Sequence, residues 1–317
     1  MARQSSEVSS PMMRYVLRRA IEGLLALLLL AVVVFLAEHA TGSPLRYFVA
    51  PDESGKDIAQ QVHLLGLDKP LYVQFWIFLV NASHGNFGNS FIYNRPVIGM
   101  LLDALPATIA LAVTALVLTI FIGVPLGVLA AIRRGSGLDK VAMTASILSM
   151  SIPQFWLGIL LIVLFAADLR WLPAFGYGAP VDIILPALTL SLSILAGMVR
   201  LTRSSMLDVL DSEFVNFARM KGLNEWRVIW KHALRNALIP VVTFAGITLG
   251  QLLNGIIVVE TVFAWPGLGH LTINAAVELD YPVLQGAVLL DGLFFLASAF
   301  VVDVTYAWID PRRRYAR

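Results

Sequence analysis

The chain has 317 residues, 58% of them hydrophobic and 14% charged, with a mean hydropathy of +0.78 and a formal net charge of +2. So few charges cannot cover the surface of a water-soluble domain, which excludes an ordinary globular enzyme and makes the bilayer the expected solvent. Cysteine is absent, which excludes disulfides, zinc–thiolate sites and thiol nucleophiles.

Six apolar runs are long enough to cross about 30 Å of hydrocarbon at roughly 1.5 Å per residue. They fall at about 15–37, 104–131, 141–167, 183–199, 236–262 and 283–308. The fourth is short and carries Pro186 and several hydroxyl residues. The first follows Arg14, Arg18 and Arg19, as a signal peptide would, but it is longer than a signal core. "FLAEHATG" also offers no small-x-small cleavage site, so an uncleaved helix is expected.

Lys and Arg set the orientation. With the N-terminus inside, inner segments hold 18 of the 23 cations; outer segments hold only Arg46, Lys56, Lys69, Arg95 and Arg170. Both termini are therefore expected in the cytoplasm. The organisation reads as a cytoplasmic N-terminus and first helix (1–37), an outer loop (38–103), a five-helix core (104–309) with a charged segment at 201–235, and a basic tail (310–317). Within the outer loop, "IAQQVHLLGLDKPLYVQFWIFLV" predicts one or two short amphipathic helices, with Tyr72, Phe75, Trp76 and Phe78 suited to the membrane interface. The expected fold is an all-α polytopic membrane protein of six transmembrane helices.

Between the fourth and fifth spans lies "EFVNFARMKGLNEWRVIWKHALRNALIP", residues 213–240. Phe214, Phe217 and Met220 recur near helical spacing, as do Leu223, Trp226 and Trp230, while Arg219, Lys221, Arg227 and Lys231 take other faces. Gly222 is placed to stop a first helix, and Asn224 to cap a second, with Leu223 and Val228 as a hydrophobic staple. Helix, glycine turn, helix at the inner membrane face is the expectation. Amphipathicity leaves two occupants open for it: anionic lipid, or a cytoplasmic partner engaged by aromatic anchors with a charged rim.

The same stretch resembles the coupling loop of ABC importer permeases, in the form typical of the dipeptide/oligopeptide permease family. The family's Ala-Arg-x-Lys-Gly core is met by Ala218, Arg219, Lys221 and Gly222, and the later His-Ala-Leu-Arg-Asn-Ala by His232 to Ala237, with Pro240 following. Glu213 stands near the start of the broader Glu-Ala-Ala pattern, but Phe214 and Val215 replace its alanines. Ordered blocks such as "LPATIALAV", "GVPLGVLAAIRR", "SIPQFWLGILLIVLF", "VVETVFAWPGLGHL" and "VDVTYAWIDPRRR" extend the resemblance over nearly the whole chain. One departure is "TGSPLR", where Ser43 stands in place of an acidic residue. The resemblance implies a bacterial inner-membrane permease for peptides or similar solutes. It also implies a second homologous permease, two cytoplasmic ATPase subunits and an outer solute-binding protein, with membrane lipids around the helices. Glu213, Phe217, Ala218, Arg219, Lys221, Gly222, Leu223 and Trp226 are then the ATPase-coupling residues, with Phe217, Leu223 and Trp226 as anchors.

The sequence lacks a G-x-x-x-x-G-K-[ST] phosphate loop, so ATP is expected on partner subunits and no cofactor on this chain. His39, His63, His84, His232 and His270 form no metal-ligand spacing; His232 is assigned to the coupling segment and the others to outer loops. No nucleic-acid partner is expected, nor catalysis. Glycines such as Gly123 and Gly127 are read as close-packing positions, and "FAWPGLGHL" as a turn with Trp265 anchored at the interface. Asp291 lies about 13 Å into the sixth span, where a lipid-facing carboxylate would cost about 3 kcal/mol. It is therefore either paired with a neighbouring span or part of a solute path. The rival function is a stand-alone secondary transporter or channel.

Overall fold

A computed structural model describes residues 4–41 and 68–309. Ser43, Gly55, the loop residues 42–67 and the tail 310–317 lie outside the described residues. The described chain is helical, with one isolated antiparallel bridge, Asn89 to Pro96.

The elements are α1 (Gln4–Thr41), α2 (Leu71–Ser83), α3 (Val97–Ile132), α4 (Gly137–Ser151) and α5 (Gln154–Leu161), which runs on as a π-helical stretch, Ile162–Asp168. Then come α6 (Ile184–Leu210), α7 (Glu213–Met220) and α8 (Glu225–Arg227), a second π-helical stretch (Val228–Ala233), α9 (Leu234–Val262), α10 (Leu268–Glu278) and α11 (Tyr281–Ile309). Among the described residues, five helical stretches are long and apolar enough to cross a membrane, and a sixth if α4 and α5 count as one broken span. At about 1.5 Å per residue α3 is about 54 Å long, well beyond a 30 Å core.

The expected span 141–167 is not one straight helix. It breaks at Ile152–Pro153 with a bend of 107°. Ile152 is extended (φ −89°, ψ 122°), as a residue before proline prefers, and Pro153 lacks the N–H that would continue the ladder. The weak fourth span is stronger than its hydropathy implied, since α6 runs 27 residues to Leu210.

The chain divides into two compact units, 1–108 with 266–317, and 109–265. In the first, α1 packs on α11, with Leu27 and Leu30 lying over Gly292, while Leu24, Leu25, Leu29 and Val33 stay exposed, as suits a lipid-facing helix. Phe35 of α1 meets Phe75 of α2 edge-on, with centroids 5.3 Å apart. The core joins Val97, Leu101 and Ala104 of α3 to Leu268, Ala275, Val283 and Ala287. Buried Asp280 ties the segment before α3 to the α10–α11 corner, accepting from Ser90 Oγ and from Phe91 N at 3.1 Å. His39 and His270, expected in loops, stand on α1 and α10.

In the second unit, α6 lies against α9, α4 and α5. Its core runs from Val124, Val128 and Ala131 of α3 through Met198 and Met206 of α6 to Ala237 and Val241 of α9. A Cβ on Gly127 would sit 2.6 Å from Thr202 Cβ and 2.8 Å from the Val199 carbonyl oxygen, so only glycine allows this approach of α3 to α6. Trp265 is not an interfacial anchor: it is buried and meets the Tyr177 ring edge-on at 4.9 Å. Left-handed Ala264 (φ 48°) turns the chain back, and Trp265 N donates to the Glu260 carbonyl at 2.8 Å, which tucks the ring inward.

Candidate functional site

The charged segment 213–233 forms two short helices around a turn. Glu213 opens α7, and Arg219 occupies its last turn, both favourable to the helix dipole. Gly222 follows at φ +76°, a left-handed conformation that ends helices and suits glycine. Asn224 then caps α8, its side-chain oxygen accepting from Trp226 N at 2.9 Å. The Gly222 stop and the Asn224 cap were expected from residue type and spacing.

Two faces of the element are decided by packing. Val215 and Ala218 of α7 are buried, and with Val228, Ile229 and Ala233 they join the core of α3, α6 and α9. Phe214, Phe217 and Met220 face away, and Met220 is 77% exposed. Trp226 is also exposed and packs beside Trp230, with ring centroids 5.3 Å apart. Leu223, expected as an outward anchor and staple residue, is half-buried and packs against the core that holds Val228. Phe217 and Trp226 do point outward.

Charge surrounds these rings. Arg219 Nη2 reaches Glu225 Oε1 across the turn at 2.8 Å, and hydrogen bonding by that carboxylate holds the guanidinium above its ordinary range. Lys221 Nζ sits 4.6 Å from the centre of the Phe217 ring. The result is an apolar strip of Phe214, Phe217, Met220 and Trp226 with a cationic border, fixed from behind by its own core. His232 falls in the second π-helical stretch, half-buried.

Asp291 belongs to the other unit. It is half-buried on α11, and Thr272 Oγ1 of α10 lies 3.5 Å from its Oδ2, at the outer limit of a hydrogen bond. The same hydroxyl donates to the Leu268 carbonyl at 2.7 Å, the shorter of its two contacts.

Sequence reasoning missed the ion pair of Asp139 and Arg203. Arg203 Nε is 2.5 Å from Asp139 Oδ1 and Nη2 is 2.8 Å from Oδ2, with the Asp139 side chain only 6% exposed. Arg203 had counted only toward orientation. Ser136 followed three residues later by an acid was the local signal for this helix start, and Ser136 Oγ does accept from Asp139 N.

The family described as binding-protein-dependent transport system inner membrane component matches residues 123–315, and its N-terminal companion matches residues 12–112. The glutathione transport system permease protein GsiC of Salmonella typhi is 43% identical over 305 residues, covering 96% of this chain and 100% of that protein. GsiC of Escherichia coli strain K12 is 42% identical over the same coverage. Among solved structures, an inward-facing form of the MetNI methionine ABC transporter superposes with a TM-score of 0.55 at 20% identity, covering 67% of this chain and 96% of that one. Another crystal form gives 0.52 at 21% identity, covering 65% and 96%. At these identities the likeness to MetNI concerns the fold.

Proposed function

Because the chain belongs to the inner-membrane component family of binding-protein-dependent transport systems, we propose that segment 213–233 is the surface on which a separate ATPase subunit docks, and that the solutes carried are small peptides of the glutathione type. The chain is a permease subunit of an ABC importer that contributes the translocation pathway, not the stand-alone transporter that composition left open. The observation that carries the docking reading is the outward apolar strip of Phe214, Phe217, Met220 and Trp226 on an element anchored by buried Val215 and Ala218. Exposed aromatic residues held on a rigid support are the composition of an interface hot spot.

ATP hydrolysis falls to the partner, since the sequence carries no phosphate-binding loop. In this reading the permease acts with a second permease, two ATPases and an outer binding protein, its termini in the cytoplasm. Closure of the ATPases pushes segment 213–233, and α6 and α9, which flank it in the chain, pass the push into the membrane as rigid-body motion. The substrate class rests on the 43% identity with GsiC.

The chain has no cysteine, so Phe217→Cys supplies one thiol for crosslinking in the purified importer. A crosslink from this position to the ATPase supports the docking surface. A crosslink only to lipid-borne reagent assigns the strip to the membrane face. Uptake of labelled glutathione, competed by dipeptides in vesicles holding the whole importer, tests the substrate class.

A further inference from the structure

Helix α4 is held to α6 in an unusual manner for two apolar helices. Its buried residues are Asp139 and Ser146, both polar. Three polar side-chain contacts also join the bent α4–α5 pair to α6, at successive levels along it. Gln154 Nε2 donates to Ser193 Oγ at 2.8 Å, Arg200 Nη2 lies 3.2 Å from Met150 Sδ, and Arg203 grips Asp139 with two bonds. The Asp139 carboxylate also accepts Gly135 N–H at 2.9 Å, so the turn between α3 and α4 closes on the same group.

The α3 side of this joint is equally tight, since Gly123 and Gly127 bring α3 against Met198, Val199 and Thr202 of α6. From Arg203 the helix continues seven residues to Leu210, about 10 Å, before Asp211 and Ser212 lead into α7. The planar guanidinium fork fixes both distance and angle, which a single ammonium contact would not.

We propose that the Arg203–Asp139 pair is the positioning joint that makes α4, the α3–α4 turn and α6 move as one block when segment 213–233 is pushed. This rests on the docking reading above. The two residues touch neither ATP nor solute; they pass displacement from the docked segment to the bent α4–α5 pair. Without the joint, α6 moves and α4–α5 lags behind.

The test uses the complete importer, with its binding protein, in proteoliposomes, and reads assembly, ATP hydrolysis and solute uptake separately. Asp139→Asn and Arg203→Lys are expected to assemble and hydrolyse ATP at the wild-type rate while uptake per ATP falls by about tenfold, a typical coupling factor. The exchange of both residues, Asp139→Arg with Arg203→Asp, is expected to recover most of that ratio. Unchanged uptake per ATP in both single variants overturns the proposal. A parallel fall of assembly, hydrolysis and uptake also overturns it, because that is the signature of a purely structural pair. Should the exchange fail to assemble, Arg203→Lys decides by itself, since it keeps the charge and removes only the fork. The Phe217→Cys crosslink separates the two readings: if it persists while Asp139→Asn transports normally, only the joint is wrong, and if it is absent in the otherwise wild-type importer, the docking surface is wrong.

Discussion

Arg219 reaches across the turn at Gly222 to Glu225, with Nη2 2.8 Å from Oε1, and so closes α7 onto α8. Both side chains are substantially exposed, at 39% and 55%, and an exposed pair of this kind contributes about 0–1 kcal/mol. Glu225→Gln should therefore shift thermal unfolding of the solubilised protein by less than about 1 kcal/mol. A larger loss, read by intrinsic fluorescence, would show that the pair and not the core beneath it holds the element.

The turn itself is more demanding. A β-branched residue at φ +76° meets its own backbone, with a cost of about 1–2 kcal/mol, and the turn would open. Gly222→Val should insert and assemble normally yet hydrolyse ATP without uptake. Wild-type uptake at normal expression would remove the special status of this segment. Asn224→Ala, which loses the cap to Trp226 N, should cost about 1 kcal/mol and affect uptake less.

Asp291 and Thr272 make a separate test. Asp291→Asn keeps shape and hydrogen bonding, whereas Asp291→Leu removes both. With Thr272 Oγ1 already at 3.5 Å, normal uptake by the Asn variant and failed assembly by the Leu variant are the expected pair of outcomes. Loss of uptake in the Asn variant, with assembly and ATP hydrolysis preserved, would place the charge in the solute path instead.

Orientation is checked by reporters. A fusion after Gly137 should be cytoplasmic and an insertion near Gly55 outside. A cytoplasmic Gly55 would overturn the 18-to-5 distribution of cations as a guide and the docking surface with it.

The amino-acid sequence determined what depends on near neighbours. Span positions follow from hydropathy over about 20 residues, and the Gly222 stop and the Asn224 cap are contacts within a turn, so each was legible from type and spacing. The break at Ile152–Pro153 had its local sign in Pro153, but the apolar pattern continues on either side of it and reads as a single span. Tertiary structure decided the rest: which side of α7 turns outward, the turn of Leu223 toward the core, the burial of Trp265 under Tyr177, and the pairing of Asp139 with Arg203, 64 residues away. The physical reason is the solvent. In lipid a helix is apolar on its packed face and on its lipid face alike, so hydropathy locates the helix without telling which residues touch another helix, and only packing assigns them.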